Sequence, residues 1–169
     1  FEMNDRNRYV FQSMIEVLKI KLRETLREDK GGVYGVSVSG SARKFPKTEC
    51  NITISFNCTP GNEQNLIDAT MQVLKKAKAI GAEDADLIKV KETQRQERIK
   101  SLEQNNFWNS SLVYCFENDI NAEMVLMQNY EKLINSLSAE DLKQACNQYI
   151  DENSMIKITS NPEPEVIKP

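Results

Sequence analysis

The sequence predicts an α+β domain in which several helices cover one face of a small antiparallel sheet. Two alternating, strand-like stretches follow each other near the start of the chain, over residues 33–39 and 50–58. Amphipathic helices are predicted on both sides of this pair. A last alternating stretch, over residues 154–159, predicts one more strand that returns to the sheet beside the first two.

The first helix is predicted over residues 8–27. Its apolar residues recur at three- and four-residue steps, which is typical of a helix that faces a core. These residues are Phe11, Ile15, Leu18, Leu22 and Leu26. We expect Gly31 and Gly32 to end the helix, because glycine tolerates the left-handed conformation that closes a helical turn.

The first strand, over residues 33–39, is predicted to carry Tyr34, Val36 and Val38 on one face and small residues on the other. Residues 50–58 alternate between apolar and polar side chains without interruption, which predicts the second strand. The linker between them has about ten residues, and an antiparallel hairpin is the most economical pairing over such a distance.

Two further helices are predicted after the hairpin. Residues 63–80 form an amphipathic helix that Gly81 ends. Residues 83–103 are highly charged, with acidic residues first and mixed charges later, as suits a helix dipole. Glutamates lie among the bases at pairing distance, so a solvated helix face is favoured over a site for an anionic partner.

The last third of the chain is also expected to be helical. The aromatic-rich segment 107–116 is predicted to pack in the core rather than to form a ligand cage. Residues 124–137 form another amphipathic pattern. Ser138 then begins a capping box, with Asp141 where glutamate is more usual, and its helix is predicted to run to about residue 150.

The composition argues against several classes of function. Lysine and arginine number 22 against 25 acidic residues, and a net charge of −3 does not favour nucleic-acid binding. No apolar run approaches the roughly 18 residues of a membrane helix, so we expect a soluble chain without membrane insertion. The chain has no histidine, which argues against a self-contained zinc hydrolase or a Ser-His or Cys-His enzyme.

The four cysteines indicate neither a metal site nor a disulfide framework. They stand at positions 50, 58, 115 and 146, without C-x-x-C spacing and without a histidine that could join them. A chain of 169 residues can bury a sufficient core without disulfides. Cys50 and Cys58 are interpreted as core positions of the second strand.

Arg27 and Tyr34 are the candidate site residues, at the junction of the first helix and the first strand. An arginine offers fixed donors for a peptide carbonyl or a carboxylate, and a tyrosine hydroxyl can donate to a carbonyl oxygen or a developing oxyanion. Spacing alone favours a surface arginine and a half-buried strand tyrosine. Strand parity places Tyr34 with Val36 and Val38, so that face is either core or an apolar-walled cavity.

The sequence resembles the insulinase/pitrilysin family of zinc metallopeptidases. The resemblance covers nearly the whole chain and includes a capped helix that leads into a closing strand. Its most specific part is an arginine and a tyrosine separated by six residues. The matching features are Leu26-Arg27-Glu28, Tyr34, the small-residue strand 35–38, the alternating strand 52–56 and Pro60. The chain has no histidine and therefore no His-x-x-Glu-His zinc motif, so the similarity is to the C-terminal, non-zinc half.

This resemblance implies a repeated α/β unit that lacks its first strand or strands, over residues 1–160, with a tail over residues 161–169. It implies the substrate-binding, active-site-completing domain of a zinc metalloendopeptidase that degrades peptides, with no catalysis by this chain alone. Zinc would lie in an upstream catalytic domain, and this chain would hold no cofactor. Arg27 would hold the substrate backbone or carbonyl, and Tyr34 would stabilise the tetrahedral intermediate.

The partners implied by the resemblance are a peptide substrate and a zinc-bearing N-terminal half, in the same polypeptide or in a partner subunit. Two alternatives stay open. One is a non-catalytic scaffold subunit of the same fold, like family relatives in respiratory complexes, in which Arg27 and Tyr34 would be relics. The other is a generic α+β binding domain that matches by chance. The resemblance favours a periplasmic or secreted parent protein over a cytoplasmic one.

Overall fold

A computed structural model describes residues 4–29, 33–43, 46–119, 121–122 and 130–161, and only the backbone of residues 28, 29 and 34. The described elements confirm an α+β fold with helices on a small antiparallel sheet. Their order is α1 (Asp5–Arg23), a π-helical turn (Glu24–Asp29), β1 (Val33–Arg43), β2 (Glu49–Cys58), α2 (Glu63–Ile80), α3 (Asp84–Leu102), α4 (Asn105–Glu117), α5 (Tyr130–Ser136), α6 (Ala139–Tyr149) and a 3-10 turn (Glu152–Ser154).

Helix α1 is the central element of the core. The side chain of Asn4 caps its start by accepting a hydrogen bond of 2.8 Å from the backbone of Asn7. The predicted apolar stripe is buried, and α1 lies against β1, α2, α3 and α6. A β-carbon on Gly40 of β1 would lie only 2.6 Å from Cγ1 of Ile15, so glycine allows the strand to approach the helix closely.

The end of this first helix differs from the prediction. Its α-helical part ends at Arg23, and a π-helical turn continues the helix through Asp29. Leu26 remains fully buried within this turn. The predicted glycine stop at residues 31 and 32 lies outside the described residues.

Strands β1 and β2 form the predicted antiparallel hairpin, with Val38 opposite Ile54. A register shift between Val33 and Gly35 places one extra residue, position 34, in β1. Because of this bulge, Val33 and Val38 are both buried although they have opposite parity. The regular alternation predicted for this strand is therefore interrupted near its start, between Val33 and Gly35.

Helices α2 and α6 pack against each other and against α1. Helix α2 ends at Gly81 as predicted, with φ of 75°, and a β-carbon there would lie 2.0 Å from the carbonyl oxygen of Ala139. Ser138 and Asp141 form the predicted capping box of α6. Arg6 joins α1 to this cap, because its Nη2 lies 2.9 Å from Oδ2 of Asp141.

The predicted closing strand over residues 154–159 is wrong. Glu152–Ser154 is a 3-10 turn, and residues 155–161 form no regular secondary structure. Within the described residues the sheet contains β1 and β2 alone. Alternation of apolar residues indicates a face to be buried, but a strand also needs backbone hydrogen bonds to a neighbouring strand, and no described strand pairs with this segment.

The prediction that the aromatic-rich segment packs in the core is also wrong for most of α4. Phe116 is 90% exposed, and of this helix only Cys115 is buried among the described residues. The helix lies against α3, where Trp108 donates a hydrogen bond of 2.8 Å from Nε1 to the carbonyl oxygen of Leu102. A neighbour on one side covers only that side, so Leu112, Val113 and Phe116 stay exposed.

The later helices are described in part. The helix predicted over residues 124–137 is seen as α5, and residues 123–129 lie outside the described range.

Within the described part of the chain, no helix combines the length and the apolar character that crossing a membrane requires.

Candidate functional site

Arg27 lies in the last turn of the π-helical segment and is exposed, whereas its neighbour Leu26 is fully buried. The structure shows no ion pair or hydrogen bond between Arg27 and the residues that it describes. π-Helical turns are rare, and they occur frequently at functional sites. The turn thus presents a planar, permanently charged donor group at the surface, on a backbone that its buried neighbour holds in place.

A charged cluster anchors the start of the π-helical turn to α3. Nζ of Lys21 lies 2.7 Å from Oδ2 of Asp86, 3.1 Å from Oε2 of Glu83 and 3.3 Å from Oε2 of Glu24. Asp86 is only 2% exposed. Burial by itself lowers the pKa of Lys21, but the hydrogen bonds to Asp86 and Glu83 outweigh it, and the pKa is raised. Lys21 is therefore charged throughout the physiological range.

Glu83 extends this cluster to α2. Its Oε1 lies 2.5 Å from Nζ of Lys76, and its Oε2 accepts from Lys21. The hydrogen bonds from Lys76 and then Lys21 lower the pKa of Glu83 to about 2. The cluster thus links α1, α2 and the start of α3 directly behind the turn that carries Arg27.

Tyr34 occupies the extra position of the bulge at the start of β1. A bulge bends its strand and redirects the side chain at that position, and bulges are common beside active sites. The side chain of Tyr34 lies outside the described part of the chain. That the side chains of Tyr34 and Arg27 point to one site therefore stays a prediction, although the π-helical turn and β1 lie against each other.

The residues that the structure describes do not form a zinc site. The sequence contains no histidine. Among the described residues, no group of three or more cysteine, aspartate or glutamate side chains could hold a metal ion. Cys50 and Cys58 are half-buried and face the core as predicted, and Cys115 and Cys146 are buried; all four are free thiols.

A buried network of hydrogen bonds between α1 and α3 was not predicted from the sequence. The Tyr9 hydroxyl donates to Oε1 of Gln94 at 2.6 Å, Nε2 of Gln94 donates to Oγ of Ser13 at 2.9 Å, and the Ser13 hydroxyl donates to the carbonyl oxygen of Tyr9 at 2.8 Å. Burial raises the pKa of Tyr9 to about 12, so its hydroxyl stays a neutral donor. A signal existed: Asp86, Val90 and Gln94 follow one another at four-residue steps and so share one helix face.

A cavity of about 410 Å³ lies beside this network of hydrogen bonds. Its two arginines are placed over aromatic rings, with Cζ of Arg8 4.0 Å from the ring centre of Tyr114 and Cζ of Arg98 5.0 Å from that of Phe107. Asp5 and Glu97 lie in the same wall. Because the charges of this cavity are balanced, it does not select an anionic or a cationic ligand.

The model of the peptidase M16 inactive domain matches residues 2–94, which is more than half of the chain. The chain belongs to the peptidase M16 family. This membership confirms the resemblance to the insulinase/pitrilysin family and to its C-terminal, inactive domain. The matched part of the M16 domain contains α1, the π-helical turn with Arg27, the hairpin and α2. No curated protein matches the chain at a significant level.

Solved structures share the fold of this M16 domain. The periplasmic protease PqqL from Escherichia coli has a TM-score of 0.71 at 20% identity, over 89% of this chain and 16% of PqqL. A protease from Helicobacter pylori has a TM-score of 0.70 at 16% identity, over 86% of this chain and 35% of that protein. The ferredoxin protease FusC, in complex with Arabidopsis ferredoxin, has a TM-score of 0.70 at 15% identity, over 88% of this chain and 16% of FusC. The chain thus spans about a third or less of each of these proteins.

Proposed function

We propose that this M16 domain binds a peptide substrate and completes the active site of a zinc metalloendopeptidase, without being catalytic by itself. The observation that carries the proposal is Arg27, an exposed guanidinium without a partner among the described residues, placed on an anchored turn inside the matched region. The similar structures of PqqL and FusC are of proteases, and FusC was solved with a bound protein, ferredoxin, which supports a polypeptide as the ligand.

Arg27 binds the substrate backbone in this proposal. A guanidinium presents donors in a rigid plane and can give two parallel hydrogen bonds to carbonyl or carboxylate oxygens. The π-helical turn limits the motion of the residue, because Leu26 is buried on one side and Lys21 is held by Asp86 and Glu83 at the start of the turn. A fixed donor orients a bound peptide at a smaller cost in entropy than a mobile donor does.

Tyr34 supplies a neutral hydroxyl in this proposal. Such a group donates a hydrogen bond to an oxygen atom whose negative charge grows as the peptide carbonyl becomes tetrahedral. The bulge at position 34 supports this role, since it allows the first residues of β1 to depart from the regular alternation of the strand.

A zinc-bearing half, in the same polypeptide or in a partner subunit, supplies the metal chemistry. This chain contributes binding and orientation of the peptide and exclusion of water when the two halves close on it. Residues 1–160 form the domain in this proposal, and residues 161–169 form a tail. A periplasmic or secreted parent protein remains the favoured setting.

The test compares peptidase activity of this chain alone, of the zinc-bearing half alone and of the two together. We expect turnover only when both are present. In the complete enzyme, Arg27→Lys should lower kcat/KM nearly as much as Arg27→Ala, because the planar fork is lost in both variants. Arg23→Ala is the matched control, since Arg23 is also exposed and lies four residues earlier on the same helix. Equal activity of the Arg27→Lys variant and the wild type would show that Arg27 contributes only its positive charge.

For Tyr34, the expected loss on Tyr34→Phe is about ten- to a thousandfold in kcat at unchanged zinc content, which is the cost of one oxyanion donor. Tyr114→Phe in α4 removes a hydroxyl elsewhere in the domain and should leave kcat unchanged. If neither Arg27 nor Tyr34 affects turnover, but deletion of the domain prevents assembly, the domain is a structural scaffold and the proposal is wrong.

A further inference from the structure

The cavity of about 410 Å³ beside the buried hydrogen-bond network has a patterned wall. Helices α1 and α3 each line it with four residues at the spacing i, i+3, i+4 and i+7, which places the four on one helix face. Each set contains one carboxylate, one guanidinium and one buried polar side chain. The residues are Asp5, Arg8, Tyr9 and Gln12 of α1, and Gln94, Glu97, Arg98 and Ser101 of α3.

Three charged groups of this wall form no ion pair within the described part of the chain. They are the carboxylates of Asp5 and Glu97 and the guanidinium of Arg8. Farther along the same two helices the charges are paired, since Lys21 of α1 contacts Asp86 of α3. Both signs of charge are therefore available to a ligand in the same cavity.

Aromatic rings hold the two arginines of the wall in place. Cζ of Arg8 lies 4.0 Å from the ring centre of Tyr114. Cζ of Arg98 lies 5.0 Å from the ring centre of Phe107 and 5.2 Å from that of Tyr130. A guanidinium in such a contact can still donate hydrogen bonds to a carboxylate. Because Phe107 and Tyr130 also line the cavity, it offers an apolar surface beside its charges.

Tyr9 and Gln94 form the most buried part of the wall. They are only 7% and 8% exposed, and hydrogen bonds that join them to each other and to Ser13 fix their positions. This part of the cavity is therefore formed before a ligand arrives. Binding sites for small molecules are usually preformed in this way and have volumes of about 300 to 1,000 Å³, a range that includes this cavity.

We propose that this cavity binds a free amino acid or a dipeptide that has an apolar side chain, in its zwitterionic form. The ammonium group of the ligand pairs with Asp5 and Glu97, and its carboxylate pairs with Arg8. Its apolar side chain lies against Phe107 and Tyr130. A ligand with a charge of one sign would leave the wall groups of the opposite role unpaired and partly removed from water, which is unfavourable.

The cavity is separate from the candidate site at Arg27. Arg8 lies in the first turns of α1, whereas Arg27 lies in the π-helical turn that follows this helix. At a rise of about 1.5 Å per residue, the two arginines are roughly 25 Å apart along the helix. The inference therefore does not depend on the proposed function.

Isothermal titration calorimetry of the longest natural polypeptide that contains this chain tests the proposal. The zwitterionic probes are L-phenylalanine and the dipeptide glycyl-L-phenylalanine, and we expect the better of the two to bind with a Kd of about 1 mM or lower. 3-Phenylpropionate lacks the ammonium group and 2-phenylethylamine lacks the carboxylate, so each should bind at least about tenfold more weakly. The proposal is wrong if neither zwitterion binds at about 10 mM, or if an analogue with one charge binds as tightly as the zwitterions.

Substitutions in the same polypeptide locate the binding site. Arg8→Gln should weaken binding of the zwitterion by about ten- to a hundredfold, because its carboxylate loses a charged donor. The double variant Asp5→Asn, Glu97→Gln should weaken it similarly, yet bind 3-phenylpropionate no more weakly than the wild type. Arg23→Gln is the matched control, since Arg23 is exposed on the same helix and does not line the cavity. Equal affinities of folded Arg8→Gln, the double variant and the wild type would place the ligand elsewhere and overturn the proposal.

Discussion

Helices α1 and α3 lie against each other and contain 19 residues each, yet they bury different kinds of side chain. α1 buries an apolar stripe that includes Leu18 and contacts the sheet and three helices. α3 buries Asp86 and Gln94 with a single valine between them, and it leaves Ile88 and Ile99 67% and 58% exposed. One helix is thus held by apolar packing and the other largely by polar contacts.

The difference is explained by the partners of α3. Each buried polar side chain of α3 meets a matching group on α1: Asp86 meets Lys21, and Gln94 meets Tyr9 and Ser13. Burial is tolerated for a polar group that is hydrogen-bonded and for a charged group that is paired with an opposite charge. Such contacts have directional geometry, so they fix the register of α3 along α1. The apolar stripe of α1, in contrast, is held by burial from water, which has no directional requirement.

The largest expected effect comes from removing apolar volume on α1. Leu18→Ala should lower the free energy of unfolding by about 2 to 5 kcal/mol, because Leu18 is fully buried and the neighbouring elements cannot close the space. Ile88→Ala on α3 removes a similar side chain from an exposed site and should change it by less than about 0.5 kcal/mol. Urea denaturation measures both values. Similar losses in the two variants would show that α3 also contributes an apolar interface.

A smaller effect is expected from the charged contact between the two helices. Asp86→Asn should cost about 1 to 3 kcal/mol, because Lys21 loses its nearest carboxylate while Glu83 and Glu24 still compensate its charge. Asp84→Asn is the matched control, since Asp84 lies in the same first turn of α3 and is exposed. If both aspartate variants unfold at the same urea concentration, the Lys21 to Asp86 contact does not hold α3 in place.

The same contrast separates what the sequence could predict from what it could not. Four predicted features depend on neighbours in sequence, and the structure confirms them. They are the apolar stripe of α1, the alternation of β2, the end of α2 at Gly81 and the capping box at Ser138. The burial of Asp86 and Gln94 depends on partners more than 60 residues away on α1, so the charged pattern of α3 suggested a solvated face. The closing strand failed for a related reason, since no described strand pairs with that segment.

The candidate site could be predicted only in part. Family resemblance selected Arg27, and the structure finds that residue exposed. The π-helical turn and the bulge at Tyr34 had no recognisable signal, because both insert a residue into a regular element and are decided by the packing around it. The Lys21 cluster was equally hidden, since its carboxylates come from two segments that are far apart in the sequence, residue 24 and residues 83–86.

The neutral contact between α1 and α3 should contribute less than the charged one. Gln94→Ala leaves the buried Tyr9 hydroxyl and Oγ of Ser13 each short of one hydrogen bond, and we expect a loss of about 1 to 2 kcal/mol. Gln96→Ala is the control, because Gln96 is exposed and bonds Glu92 on its own helix. A loss below about 0.5 kcal/mol for Gln94→Ala would mean that water replaces the missing bonds and that register is set elsewhere.

The smallest effect is expected from Glu83, which stands at the N-cap position of α3 and pairs with Lys76 and Lys21 at the surface. Its pKa is lowered from 4.5 to about 2, so the ionised form favours the folded state. That stabilisation is complete above about pH 4.5 and is lost as the pH falls from there through about 2. In Glu83→Gln, Tm should therefore fall less between pH 5 and pH 2 than in the wild type. If the Tm values of the variant and the wild type fall in parallel with pH, Lys21 and Lys76 are stabilised equally well by other carboxylates. The polar contacts that hold α3 would then be the buried ones of Asp86 and Gln94.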